Sequence, residues 1–221
     1  MNLISEPGRL VRLIFRLLPR SIVRIICSRL NVFSFIRETK NTHVPISFDI
    51  WYEHKIKQDF NRIPWPVHHS STVIGWENVH CGVETSPGYS AGNYISSYYG
   101  KIEIGDYTQI APNVGIISAN HNLYDTREFV RGDVNIGPYS WLGMGSIILP
   151  GVNLGPFTIV AAGAVVTKSF EHGYCVIGGN PAKIIKNLNK ENCVKYKSDY
   201  EYCGYLRKEK YMKLYSSKVK E

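Results

Sequence analysis

The sequence lacks any run of about twenty apolar residues, the length a membrane-spanning helix needs. It also lacks the short apolar stretch with a small-residue cleavage site that marks a signal peptide. Neither a transmembrane anchor nor a secretory leader is expected. Cysteine is scarce: the five residues Cys27, Cys81, Cys175, Cys193 and Cys203 are odd in number, irregularly spaced and without a CxxC pair. That argues against a disulfide framework or a zinc knuckle and fits free thiols in a reducing cytoplasm. Acid is the minority charge, 18 Asp and Glu against 26 Lys and Arg, so the 221-residue chain carries a formal charge of +8. Such a balance points to a polyanion: nucleic acid, a phosphate-bearing cofactor or an anionic membrane surface. With 44% hydrophobic and 20% charged residues, disorder is not indicated, and the length suffices for one cored domain with short extensions.

Residues 8–30 read GRLVRLIFRLLPRSIVRIICSRL. On a helix, Arg9, Arg12, Arg16, Arg20 and Arg24 fall within an arc of roughly 120°, with Leu10, Ile14, Leu17, Leu18, Ile25 and Ile26 mostly opposite. Pro19 should kink or split this helix. A basic amphipathic helix suits a peripheral contact with the inner face of the cell membrane. The plainer reading is a helix packed on its own protein or on a neighbouring copy. Residues 31–72, punctuated by aromatics and prolines, predict a short helix around 51–60 and then an extended lead-in.

From residue 73 the texture changes. Every sixth residue from Ile136 is aliphatic: Ile136, Leu142, Ile148, Leu154, Val160 and Val166. Ile104, Ile110 and Ile116 keep that spacing upstream, and Ile74 is placed in their register. A small residue follows several of them, as at Gly75, Gly105, Ala111, Gly137, Gly143, Gly155 and Ala161. A period of six fits neither an amphipathic helix nor an alternating strand. It fits a coil of three short flat faces, whose aliphatics stack inward and whose small residues turn tight corners. Residues 117–133, ISANHNLYDTREFVRGD, break the repeat once, and it resumes at Val134–Ile136. A long loop on a rigid scaffold commonly carries function, and His121 stands at its base.

The stretches IGDYTQIAPNVGIISANH (104–121), WLGMGSIILPGV (141–152), GAVVTK (163–168) and GGNPAKIIK (178–186) together resemble the hexapeptide-repeat acetyltransferases, nearest to bacterial polysaccharide and sugar O-acetyltransferases. The resemblance covers residues 73–186. It implies a mainly β fold, a left-handed parallel β-helix over 73–183 with a loop at 122–133. The N-terminal segment, 1–72, would be helical and extended, and the tail, 184–221, helical.

The resemblance also implies acetyl-CoA as co-substrate, a homotrimer with the CoA site between coils, and a sugar or polysaccharide-precursor acceptor. His121, seventeen residues after the isoleucine of IGD, matches the family's catalytic histidine. Imidazole suits that task because its pKa lies near physiological pH. Asp125 or Glu128 is a candidate to orient the ring. Asn93 and Asp125 are candidate acceptor contacts; a corner asparagine is the plainer reading of Asn93. Gly143 matches the position near the thioester, where a backbone N–H would serve the oxyanion. Ala162, Thr167 and Lys168 match the pantetheine arm, and Lys183 and Lys186 the CoA phosphates, as point charges in place of arginine forks. Met144 stands where the family often has serine.

Three other readings stay open. One is acetylation of a xenobiotic or of serine. The others are a zinc enzyme like the γ-type carbonic anhydrases and a non-catalytic scaffold on the same coil. The zinc reading needs three converging histidines; His43, His54, His68, His69, His80, His121 and His172 lack the paired downstream spacing, so no metal is expected. The tyrosine- and lysine-rich tail lacks the glycine spacing of a nucleic-acid binder, and no nucleic-acid partner is expected.

Overall fold

The computed structural model describes residues 9–58 and 62–215. Gly8, at the head of the basic stretch, and residues 59–60, at the end of the helix expected around 51–60, lie outside the described residues. Helices α1 (Arg9–Leu17) and α2 (Arg20–Arg29) are split at Pro19, whose ψ of 136° leaves the helical region. α3 (Phe35–Glu38) follows, then α4 (Phe48–Tyr52), which continues into a π-type turn, Glu53–Lys57. Ser47 caps α4 by accepting from the Ile50 N–H at 3.2 Å. These helices share a small core built on Phe33, Phe35, Trp51 and Ile56, into which Tyr202 and Tyr205 of the tail also pack.

The coil begins with β1 (Thr72–Ile74), β2 (Val79–Cys81), β3 (Tyr94–Ser96), β4 (Ile102–Ile104), β5 (Gln109–Ile110) and β6 (Gly115–Ile117). A hairpin, β7 (Ala119–His121) and β8 (Phe129–Arg131), projects from it at the break in the repeat. The lower turns comprise β9 (Val134–Ile136), β10 (Trp141–Leu142), β11 (Ile147–Ile148) and β12 (Asn153–Leu154). They continue through β13 (Thr158–Val160), β14 (Val165–Val166) and β15 (Cys175–Gly178). β16 (Lys183–Asn187) then folds back antiparallel on β15.

Three sheets result. The first runs β1-β3-β6-β11-β14, the second β2-β4-β9-β12, and the third β5-β10-β13-β15 with β16 at its end. Neighbours are parallel apart from β15 and β16, and the chain visits the sheets in rotation. In the lower turns Trp141 faces Ile159, Ile147 faces Val165 and Asn135 faces Asn153, an offset of eighteen residues or three hexapeptides.

Each sheet sends a column of apolar side chains inward. They are Val73–Ile95–Ile116–Ile148–Val166, Cys81–Ile104–Ile136–Leu154 and Ile110–Leu142–Val160–Ile177, buried except for the half-buried Val73 and Ile110. The second sheet sends a further one, Val79–Ile102–Val134. Ile74 is not in a column, contrary to the count by sixes: it faces Ser96, and Val73 takes the inward place opposite Ile95. The upper turns are longer, with Tyr94 facing Gly115 and Val79 facing Ile102, so counting in sixes slips there.

Small corner residues are required by close backbone approach. A Cβ on Gly137 would meet the Gly155 carbonyl carbon at 2.5 Å, and one on Gly143 the Val160 oxygen at 2.6 Å. Two of the corners also hold one residue in the left-handed region in successive turns. At the second-to-third corner these are Tyr107, Tyr139, Phe157 and Tyr174, with φ of 61°, 58°, 54° and 48°. Their rings form a ladder with centroid separations of 5.2, 4.9 and 5.3 Å. At the third-to-first corner the same place is held by Asn113, Gly145 and Gly163.

The tail has the expected helix over part of its length only. β16 straddles the 183/184 boundary, and the chain then runs back along the aromatic ladder. The Lys190 ammonium sits 4.9 Å from the Tyr174 ring, Tyr139 donates to the Tyr196 carbonyl at 2.8 Å, and the Tyr107 hydroxyl donates to Glu201 at 3.2 Å. A two-stranded ribbon, β17 (Tyr202–Cys203) and β18 (Leu206–Arg207), leads into α5 (Lys208–Tyr215). Ring stacking holds the segment extended where its composition suggested helix.

Candidate functional site

His121 ends β7, paired with Phe129 across the hairpin, and the Asn122 N–H to Glu128 carbonyl bond of 2.9 Å closes the turn. Its Nδ1 lies 2.6 Å from the Thr126 carbonyl oxygen. A carbonyl only accepts, so this contact puts the proton of the neutral ring on Nδ1 and the lone pair on Nε2. The imidazole also packs 4.3 Å from the Phe129 ring. It opens on a cavity of about 680 Å³ lined by Asn120, His121, Asn122, Leu123, Tyr124 and Val130.

The ring is therefore oriented by a backbone carbonyl, correcting the expectation of Asp125 or Glu128. Asp125 is held by Arg127 through a 2.7 Å ion pair, and these hydrogen bonds keep its carboxyl below the usual range. Glu128 accepts from the Asn122 amide at 3.1 Å. Beside His121, Phe129 stacks on Tyr99 at 4.2 Å, and Tyr99 meets Tyr98 edge-on at 4.8 Å. All three rings are exposed. The Tyr98-Tyr99 pair, in SSYYG just ahead of the IGD repeat, was the available signal for this platform.

Asn93 is buried at a coil corner, where its amide donates to the Ala111 carbonyl at 2.8 Å. Its side chain is turned to the coil backbone and away from acceptor chemistry, as the corner-asparagine reading has it. Gly143 is also corrected as the oxyanion donor, because its N–H is occupied by the Val160 carbonyl at 2.8 Å. The free donor is its neighbour: the Met144 N–H makes no hydrogen bond within the described chain. No sequence pattern marked it, since any residue type supplies that amide.

The remaining candidates divide between corners. Gly143 and Ala162 lie at the third-to-first corner, flanked by Gly145 and Gly163, where an added Cβ would meet nothing within 4 Å. Thr167 and Lys168 are exposed at the first-to-second corner, which also carries the hairpin. They follow β14, two strands beyond β6, or about 10 Å along the coil. Lys183 and Lys186 are exposed on β16. The two corners are separated by the stretch Met144–Leu149, about 16 Å of extended chain. A single copy does not bring these candidates together.

Other nucleophile and metal chemistry finds less support. Burial pushes the Cys81 thiol up to about 12, which leaves no thiolate there at neutral pH. Among the described residues no three His, Cys, Asp or Glu side chains form a metal-holding group.

The bacterial transferase hexapeptide (six repeats) pattern matches residues 133–168, the turns with the eighteen-residue register. This chain carries hexapeptide repeats over those residues. Among solved structures, a maltose O-acetyltransferase from Clostridium difficile 630 is 32% identical with a TM-score of 0.50, over 56% of this chain and 66% of that one. The hexapeptide-repeat chain thus spans just under two thirds of that enzyme's length. A hexapeptide-repeat containing acetyltransferase from Vibrio cholerae O1 biovar eltor, complexed with acetyl coenzyme A, is 25% identical over 55% of this chain and 70% of that one, with a TM-score of 0.48. The polySia specific acetyltransferase NeuO is 27% identical over 55% of each chain, with a TM-score of 0.43. No curated protein sequence matches.

Proposed function

We propose that the protein is an acetyl-CoA-dependent O-acetyltransferase acting on a sugar hydroxyl, on a left-handed parallel β-helix, with His121 as general base. The observation that carries the mechanism is the His121 ring, with Nδ1 held by the Thr126 carbonyl and an open cavity beside it. The similarity to a maltose O-acetyltransferase supports the reaction class.

The thioester supplies an acyl carbonyl open to attack. His121 Nε2 takes the acceptor's hydroxyl proton as the oxygen attacks, and Thr126 stabilises the resulting imidazolium through its carbonyl; collapse of the tetrahedral intermediate then breaks the C–S bond, and the imidazolium returns the proton to the leaving CoA sulfur. The Met144 amide is a free donor suited to an acyl oxygen. Exposed Tyr98, Tyr99 and Phe129 offer flat apolar faces for a pyranose ring. Gly145 and Gly163 leave open space beside Ala162 for the pantetheine arm, and Thr167 and Lys168 extend the binding surface at the other corner. Lys183 and Lys186 place positive charge for the CoA phosphates. Since His121 and the glycines lie at opposite edges of the first sheet, with Lys183 and Lys186 on β16 of the third, the proposed complete site joins the hairpin corner of one copy to the glycine corner of the next, as in a homotrimer.

The test is acetyl transfer by His121→Ala, followed as thiol release with sugar acceptors. Loss of about 10²- to 10⁴-fold with CoA binding retained is expected for removal of a general base. Near-normal turnover would overturn the role. Release with serine or chloramphenicol but with no sugar would overturn the acceptor class.

A further inference from the structure

The N-terminal helices face the opposite way to an ordinary surface helix. α1 and α2 bury a side row, Val23 and Cys27 fully and Phe15 and Leu18 partly. Arg16, Arg20 and Arg24 reach toward the body of the protein. Arg16 Nε donates to the Ile56 carbonyl at 2.7 Å, Arg24 meets Asp49 at 2.8 Å, and Arg20 reaches Asp49 at 3.1 Å and Glu53 at 3.3 Å. What faces outward is aliphatic. Leu10, Leu13, Ile14 and Leu17 form an i, i+3, i+4, i+7 stripe on α1, and Ile22, Ile25 and Ile26 the corresponding one on α2. Leu10 is 69%, Leu17 77% and Ile25 53% exposed.

Charge identifies the occupant. Between Glu6 and Glu38 the sequence contains seven arginines and no Asp or Glu. A second copy docking stripe to stripe would set these like charges against one another, a repulsive arrangement for a protein interface. Arg20 and Arg24 stay about half exposed beside their carboxylate partners, and Arg29 and Arg37 are exposed. A bilayer with anionic headgroups accepts both features, the aliphatic side chains beneath the headgroups and these exposed guanidinium groups among them. No helix among the described residues is long and apolar enough to cross a membrane, so the contact would lie in the interface plane.

We infer that the aliphatic stripe of α1 and α2 docks this protein on the surface of an anionic lipid bilayer. The test is co-sedimentation of the full chain with vesicles of phosphatidylcholine, with and without phosphatidylglycerol. Two variants are compared, Leu13→Gln with Leu17→Gln and Ile22→Gln with Ile25→Gln; all four positions are exposed, so the fold is kept and circular dichroism checks it. Binding to the anionic vesicles, weakened about tenfold or more in either double variant, is the expected result. A Leu13→Ile, Leu17→Ile protein, equal in apolar volume, should bind like the parent. Binding unchanged by the glutamines, or no binding to either vesicle, would overturn the inference. So would variants that only lower the molecular mass in light scattering, since a second copy would then be the occupant. Vesicle partition is read without turnover and fails or stands independently of the acetyl-transfer reading.

Discussion

At the second-to-third corner of the coil the left-handed residue of successive turns is Tyr107, Tyr139, Phe157 and Tyr174; at the third-to-first corner it is Asn113, Gly145 and Gly163. The backbone is alike and the finish is opposite. A left-handed conformation costs a non-glycine residue about 1–2 kcal/mol, and at the first corner ring stacking and the returning tail offset that cost. That corner is closed by the chain itself. The other is left uncovered by the rest of the chain, with Gly145 and Gly163 bare and the Met144 side chain exposed, and it bears the free Met144 amide. The difference shows which edge the molecule completes alone and which it leaves for another molecule.

The sharpest way to break this contrast is to give the bare corner the other's residue. Gly145→Tyr should fold, because tyrosine already occupies the same conformation at Tyr107 and Tyr139 and an added Cβ at Gly145 meets nothing within 4 Å. Its ring would fill the space assigned to the pantetheine arm and the neighbouring copy. CoA affinity by calorimetry should fall by about 100-fold or more, since a filled pocket forfeits most of its burial. Unchanged affinity would place the CoA site elsewhere.

Below both corners lies the scaffold that holds them. Ile148→Ala, fully buried in the first column, should cost about 2–5 kcal/mol in urea unfolding at fixed protein concentration. Ile74→Ala, half-buried and outside the column, should cost about half as much or less. The pair also marks how far the fold was legible. Where the offset is eighteen residues, as from Ile136 to Leu154, counting by sixes identifies one inward column in each sheet, though not Val134, Val152 or Ala164, which are buried beside it. Upstream, the longer turns absorb Tyr98, Tyr99 and the docking of the tail, and the count fails at Ile74. The candidate site was readable where a side-chain type would do the chemistry, as proposed for His121. It was not readable where backbone does: the Thr126 carbonyl and the Met144 amide belong to positions that any residue can fill. The tail's extended course was hidden too, because it follows from a ladder assembled from four distant turns.

The closed corner can be opened in turn. Tyr139→Gly relieves a left-handed side chain but removes two ring stacks, at 5.2 and 4.9 Å, and the bond to the Tyr196 carbonyl. With stacks worth about 0.5–1.5 kcal/mol each and the hydrogen bond about 1, a net loss of about 1–3 kcal/mol is expected. Proteolysis near residues 190–200 should quicken in the same protein, while CoA affinity holds. Equal loss of CoA binding would mean that the two corners are not independent.

The smallest effect belongs to the hairpin between these corners. If the Thr126 carbonyl orients His121, neutralising Asp125 removes only an exposed pairing with Arg127 and leaves the ring's hydrogen bond in place. Solvent screens such pairs, so Asp125→Asn should change kcat by less than about twofold. A carboxylate acting on the imidazole would give a different signature, a kcat reduced by orders of magnitude together with a shifted pH profile, because the imidazolium would lose its compensating charge. An unchanged profile with near-parent kcat assigns the orientation of His121 to the backbone, and with it the reason for the hairpin: a tight turn carries a carbonyl to the one nitrogen that must stay protonated.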